Sequence, residues 1–198
     1  MDIEGFEHAG GILHGIKRIE SAHAAKLIDA VKSAFELLDS REFCSLLERV
    51  PAQDFDHHAD PTELRQADGA RVLVELRSVA AKGFLVEADW HPPFFLRKKS
   101  VAKTIKSDGQ LIKLNPYFVR TRPAEGFVGT FVHELAHLAG YSHDGNRRKG
   151  NEATVPHFVG DLARWVELGR RKRPQTLPAD ACDALRRLVV LPGELDVA

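Results

Sequence analysis

At 198 residues the chain has the size of one domain and enough length to bury a core without disulfides or a structural metal. Hydrophobic residues make up 43% and charged residues 28%, ordinary globular values that exclude wholesale disorder and a fibrous repeat. Lys plus Arg and Asp plus Glu balance at 28 each, so no global field draws a nucleic acid or an acidic membrane.

The opening MDIEGFEHAGGILHGIKRIE mixes acids with glycines where a secretory signal needs a basic start and an apolar stretch of roughly 7 to 15 residues. Nothing longer suggests a membrane span, and a cytoplasmic, bacterial-type protein is expected. Residues 1–15 read as a candidate mobile arm. From 17 to 50, Ile19, Ala22, His23, Leu27, Ile28, Val31, Phe35 and Leu38 follow helical spacing. A break near Asp39 and Ser40 precedes a second helix through Phe43, Leu46 and Leu47. Cys44 and Cys182 form no CxxC pair, which argues against a disulfide framework or a cysteine zinc site.

PAQDFDHHADP, 51–61, is bracketed by prolines and reads as a loop in which His57 and His58 are solvated. From Ala70 to Leu114 the pattern turns toward strands. RVLVELRSV alternates in part, although its apolar run also fits a helix; GFLVEADW is short and apolar; KTIKSDGQLIKLN suggests a hairpin about a Ser-Asp-Gly turn. Between them WHPPFF, with His91, is an irregular connection. IKLNPYF, 112–118, is a candidate edge strand beside the helix that follows. The basic runs around Arg97, Arg147 and Arg170 read as solvated surface, as do Arg120 and Arg122.

Thr121-Arg122-Pro123 opens a helix, with Glu125 in the first turn where the helix dipole favours an acid. Phe127, Phe131, Leu135 and Leu138 mark its buried stripe, and Gly140 ends it. A further helix starts between Asn151 and Pro156, runs through Phe158, Leu162, Trp165, Val166 and Leu168, and stops before the basic run at 170–173. Residues 178–191 read as a short last helix. The expected organisation is one domain, 1–198: a helical N-terminal part (1–60), a catalytic core (61–175), and a C-terminal helix and tail (176–198).

The chemistry concentrates in HELAHLAGYSHD, 133–144. Residues four apart share one helix face, so His133 and His137 can present two imidazoles to one ion, with Glu134 flanking it. Gly140 lets the chain leave the helix abruptly and bring His143 within reach as a third ligand. Three histidines leave a zinc ion one open position for water, the arrangement of catalytic zinc, and Glu134 can take that water's proton. At this composition HExxH alone arises by chance in about 3% of chains; adding the glycine and third histidine lowers this to on the order of 10⁻⁴.

HELAHLAGYSHD resembles the metzincin zinc-peptidase pattern HExxHxxGxxHD residue for residue. The resemblance implies zinc on His133, His137 and His143, Glu134 as general base and Asp144 in support. It also implies an α+β, zincin-like domain in which a short mixed sheet packs on the HExxH helix, flanked by N-terminal and C-terminal helices. Metzincins carry a methionine turn downstream, whereas the one methionine here is Met1. Spartan-like proteases are similar in using HExxH with a later histidine and no such turn. In gluzincins the third ligand is a glutamate on a later helix, a role Glu152 in NEATVPHFVGDLA could take; the glycine-turn spacing favours His143. The three-histidine motif also resembles HGxLHLxGYDH of bacterial rRNA-maturation endoribonucleases, which have glycine where this chain has Glu134.

Tyr117, Tyr141 and His157 are candidates for stabilising the oxyanion, with His157 favoured for its place near the start of a helix that should pack on the site. The function expected is zinc-dependent hydrolysis of peptide bonds in an intracellular protein or peptide. A metal-dependent endoribonuclease and a non-catalytic zinc-binding module are the rivals.

Overall fold

A computed structural model of the chain describes residues 1–56, 67–91, 100–105, 110–143 and 151–171. The chain begins with a hairpin in place of an arm or a helix: β1 (Ile3–His8) pairs antiparallel with β2 (Gly11–Lys17), Ile3 opposite Ile16 and His8 opposite Gly11. Leu13 and Ile16 point into the core. The glycines of this stretch dilute its apolar alternation, so the strand period is hard to read in sequence.

Two helices follow as expected, α1 (Ser21–Leu38) and α2 (Arg41–Leu47). Asp39 is the C-cap of the first, and Ser40 caps the second, accepting a hydrogen bond from the Phe43 amide at 3.3 Å. Beyond a short 3-10 turn at Ala52–Asp54, residues 57–66 lie outside the described set, and His57 and His58 with them.

RVLVELRSV, whose apolar run fits either a strand or a helix, is a helix: α3 spans Gly69–Lys82 with Asp68 as its N-cap, accepting from the Arg71 amide at 2.9 Å. Val72, Leu73, Leu76, Val79 and Ala80 are its buried residues, the spacing of a helix face. The remaining strands are β3 (Phe84–Glu87), β4 (Ala102–Ile105) and β5 (Leu111–Leu114). β4 and β5 pair antiparallel as the expected hairpin, though 106–109 and the 92–99 connection lie outside the described residues.

β2 pairs parallel with β3 and β3 with β5, so the mixed five-stranded sheet runs β1-β2-β3-β5-β4. The fold is α+β. Residues 111–114 therefore lie inside the sheet, and β4 holds the edge that IKLNPYF was expected to hold. Only pairing decides which hairpin strand faces outward, and β5 is the one that meets β3.

Next come α4 (Pro116–Thr121), α5 (Ala124–Ala139) and α6 (Val155–Arg171). α6 runs into the basic run rather than stopping before it. The expected last helix at 178–191 lies outside the described residues.

α5 is the hub. It packs on α1, α3 and α6, and Phe131 approaches Phe84 of the sheet at 6.3 Å between ring centroids. Its buried residues run almost without a break from Gly126 to Ala136, well beyond one stripe, as suits a helix covered on most sides. Each fully buried Phe adds about 1.5–3 kcal/mol of hydrophobic stabilisation, so Phe127 and Phe131 hold this helix firmly. No helix among the described residues is long and apolar enough to cross a membrane.

Candidate metal centre

The start of α5 is fixed from outside. Asn115 caps α4 by accepting from the Tyr117 amide at 3.0 Å. The Lys26 ammonium on α1 donates to the Val119 carbonyl and, at 3.1 Å, to that of Arg122. These bonds quench the carbonyls at the end of α4 just before α5 begins.

At the other end, Gly140 adopts φ 112°, open to glycine and strained for other residues. Its amide donates to the His137 carbonyl at 3.1 Å and the Tyr141 amide to that of Ala136 at 3.0 Å, the two bonds of a Schellman motif. The chain turns back, and His143 returns to the face that carries His133 and His137. The three Nε2 atoms form a triangle with sides of 3.1, 3.1 and 3.2 Å. Among the described residues this is the one group of three or more His, Cys, Asp or Glu suited to a metal ion.

The donor set suits zinc. Tetrahedral coordination at about 2.0–2.1 Å needs nitrogens roughly 3.3–3.4 Å apart, within a few tenths of an ångström of this triangle. The orientation of two rings fits as well. His137 Nδ1 lies 2.9 Å from the Tyr141 carbonyl, and the ring of His133 is hydrogen-bonded to the backbone of Pro156, which offers only a carbonyl. Each ring thus carries its proton toward a carbonyl and turns an Nε2 lone pair inward. Two acceptors 3.1 Å apart repel unless a cation lies between them. Burial, reinforced by His137, His157 and His143, holds the His133 pKa well below its ordinary value, which keeps the imidazole in its ligating form.

Glu134 is 5% exposed, and its Oε2 accepts a hydrogen bond from Thr104 Oγ1 of β4 at 2.5 Å. Burial raises its pKa from 4.5 to about 7, against the opposing effect of the Thr104 hydroxyl. Thr104 was not foreseen from sequence, because its contact with Glu134 is made across the sheet edge. A cleft of about 300 Å³ opens beside the triangle, with Ser100, Val101 and Ala102 on one side and His157, Gly160, Asp161 and Arg164 of α6 on the other.

His157 lines that cleft, its ring centroid 4.7 Å from that of His133 and 4.5 Å from that of His143. Tyr141 is fully buried and absent from the cleft lining, and its tie to the site runs through its backbone carbonyl. Tyr117 packs edge-on against Phe118 on α4, outside the lining. Glu152, on the turn ahead of α6, is outside the histidine cluster, and Asp144 is outside the described residues.

Arg120 is exposed and pairs with Glu20 at 3.0 Å, as a surface residue should. Arg122 corrects the same expectation: it lines the cleft and donates to Thr130 Oγ1 at 2.8 Å. The sequence held a clue in Gly126, four residues on, where a Cβ would come within 2.8 Å of Arg122 Cγ. Comparison with known protein families, curated proteins and solved structures finds no match to this chain.

Proposed function

We propose that the chain is a zinc metallopeptidase of the zincin kind, hydrolysing peptide bonds of a cytoplasmic protein or peptide. One observation carries the reading: a triangle of histidine Nε2 atoms opens onto a cleft next to a buried carboxylate, Glu134, whose pKa stands at about 7. His133, His137 and His143 would hold the ion. When bound, zinc supplies the Lewis acidity that polarises a carbonyl and acidifies water.

The remaining work belongs to the chain itself. Glu134 Oε2 is engaged by Thr104, which leaves Oε1 to take the proton of the attacking water and pass it to the leaving amine. A carboxyl with a pKa near 7 suits both transfers. His157, whose ring packs beside those of His133 and His143, is the donor toward the developing oxyanion. β4 is the sheet edge, and Ala102 lines the cleft, so an extended peptide could add to this edge and reach the site.

The test is Glu134→Gln, assayed on unfolded protein substrates and on RNA with zinc content measured in parallel. Peptide hydrolysis should fall about a hundredfold or more while zinc is retained. RNA cleavage untouched by the substitution would move the protein to the endoribonuclease class, and zinc uptake without turnover would make it a binding module.

A further inference from the structure

Two guanidinium groups share the cleft with the histidines. Arg122 reaches it from the segment before α5, and Arg164 from α6, its Cβ side facing Gly129. Arg122 spends one N–H on Thr130 Oγ1. Arg164 Nε is buried and has no hydrogen-bond acceptor among the described residues. Burial and the charge of Arg164 lower the Arg122 pKa to about 10, with Asp161 working the other way. Besides Glu134, the charged side chains of the lining are two guanidinium groups and the Asp161 carboxylate, so this part of the cleft carries a net positive charge in a partly desolvated place, where an unsatisfied donor is costly.

We propose that Arg122 and Arg164 form a subsite for a substrate carboxylate, so that the cleft selects peptides carrying a negative charge close to the cleaved bond. The inference rests on the peptidase reading and adds a substrate class to it. Guanidinium forks match carboxylates in shape as well as charge. Thr130 precedes His133 by three residues, and Arg164 follows His157 by seven, distances of about 5 and 10 Å along the helices. Extended peptide covers that in roughly one to three residues. The carboxylate is then either the C-terminus of a short leaving fragment or an Asp or Glu side chain. A nucleic-acid phosphate fits less well, because Asp161 stands beside the pair and would repel a polyanion.

Three short peptides separate the sources: N-acetyl-glycyl-glutamine with a free C-terminus, N-acetyl-glycyl-glutamate amide with only a side-chain carboxylate, and N-acetyl-glycyl-glutamine amide with neither. Their dissociation constants are measured by NMR titration on the full chain, both metal-stripped and zinc-loaded. One anionic peptide should bind about tenfold or more tightly than the neutral one in both forms, and which one identifies the source. The preference should fall below about threefold in Arg164→Gln. Arg122→Lys, which keeps the charge and loses the fork, should weaken it too, with circular dichroism confirming that both variants fold.

Equal binding of all three peptides overturns the proposal. So does a preference that appears only with zinc and survives Arg164→Gln, since the metal would then hold the carboxylate. Displacement of the anionic peptides by inorganic phosphate at lower concentration than by acetate assigns the arginines to phosphate and also overturns it. Failure of zinc uptake or of Glu134-dependent hydrolysis would refute the peptidase reading while leaving a measured carboxylate preference standing.

Discussion

Gly129 and Gly160 meet backbone to backbone where α5 crosses α6: a Cβ at 129 would lie 2.5 Å from the Gly160 carbonyl oxygen, and one at 160 would lie 2.9 Å from that of Gly129. This approach sets the Pro156 carbonyl against the His133 ring and the His157 ring beside it. Gly129→Ala would gain up to about 1 kcal/mol of helix propensity. The clash is with main-chain atoms that cannot rotate away, so overpacking should win, for a net loss of about 1–3 kcal/mol. Urea unfolding of Gly129→Ala and Gly160→Ala checks this, and unchanged midpoints would show that the helices separate freely.

Metal content tests the triangle. Purified protein supplied with zinc should hold close to one ion per chain, His133→Ala and His143→Ala should lose it, and Glu152→Ala should keep it. Loss with Glu152→Ala and retention with His143→Ala would transfer the third position to the glutamate.

Glu134 makes the metal-free protein pH-sensitive in a direction fixed by its shift. Its pKa is raised on folding, from 4.5 to about 7, so folding favours the protonated acid. That stability is fully present below pH 4.5 and lost as pH rises through 7. Glu134→Gln mimics the neutral acid and should stabilise the metal-free chain relative to wild type at pH 8, by at most about 3 kcal/mol, with little difference near pH 4.5. Thermal melts of both proteins at the two pH values measure it. The contribution of His133 cancels between them, and a difference independent of pH would refute the assignment.

Thr104 tunes the same group. Its hydroxyl favours the ionised form of Glu134, so Thr104→Val should raise the carboxyl pKa further and move the acid limb of the kcat/KM profile to higher pH. A profile that drops in height without shifting would assign Thr104 a purely structural part.

Some of this protein was legible in its letters, because some of its geometry is local. The i, i+4 spacing of His133 and His137, the glycine that turns the chain toward His143, and the break between α1 and α2 at Asp39 and Ser40 are short-range matters of helical pitch and backbone freedom. Where local patterns were ambiguous, packing decided. RVLVELRSV became α3 because its apolar residues cover one helix face, and the glycine-rich opening became a hairpin because β2 pairs with β3. Thr104 meets Glu134 from a sheet edge, and Arg122 and Arg164 come to the cleft from the segment ahead of α5 and from α6. No spacing encodes those encounters; they exist only once β4 takes the outer place in the sheet and Gly129 lets α6 close on α5.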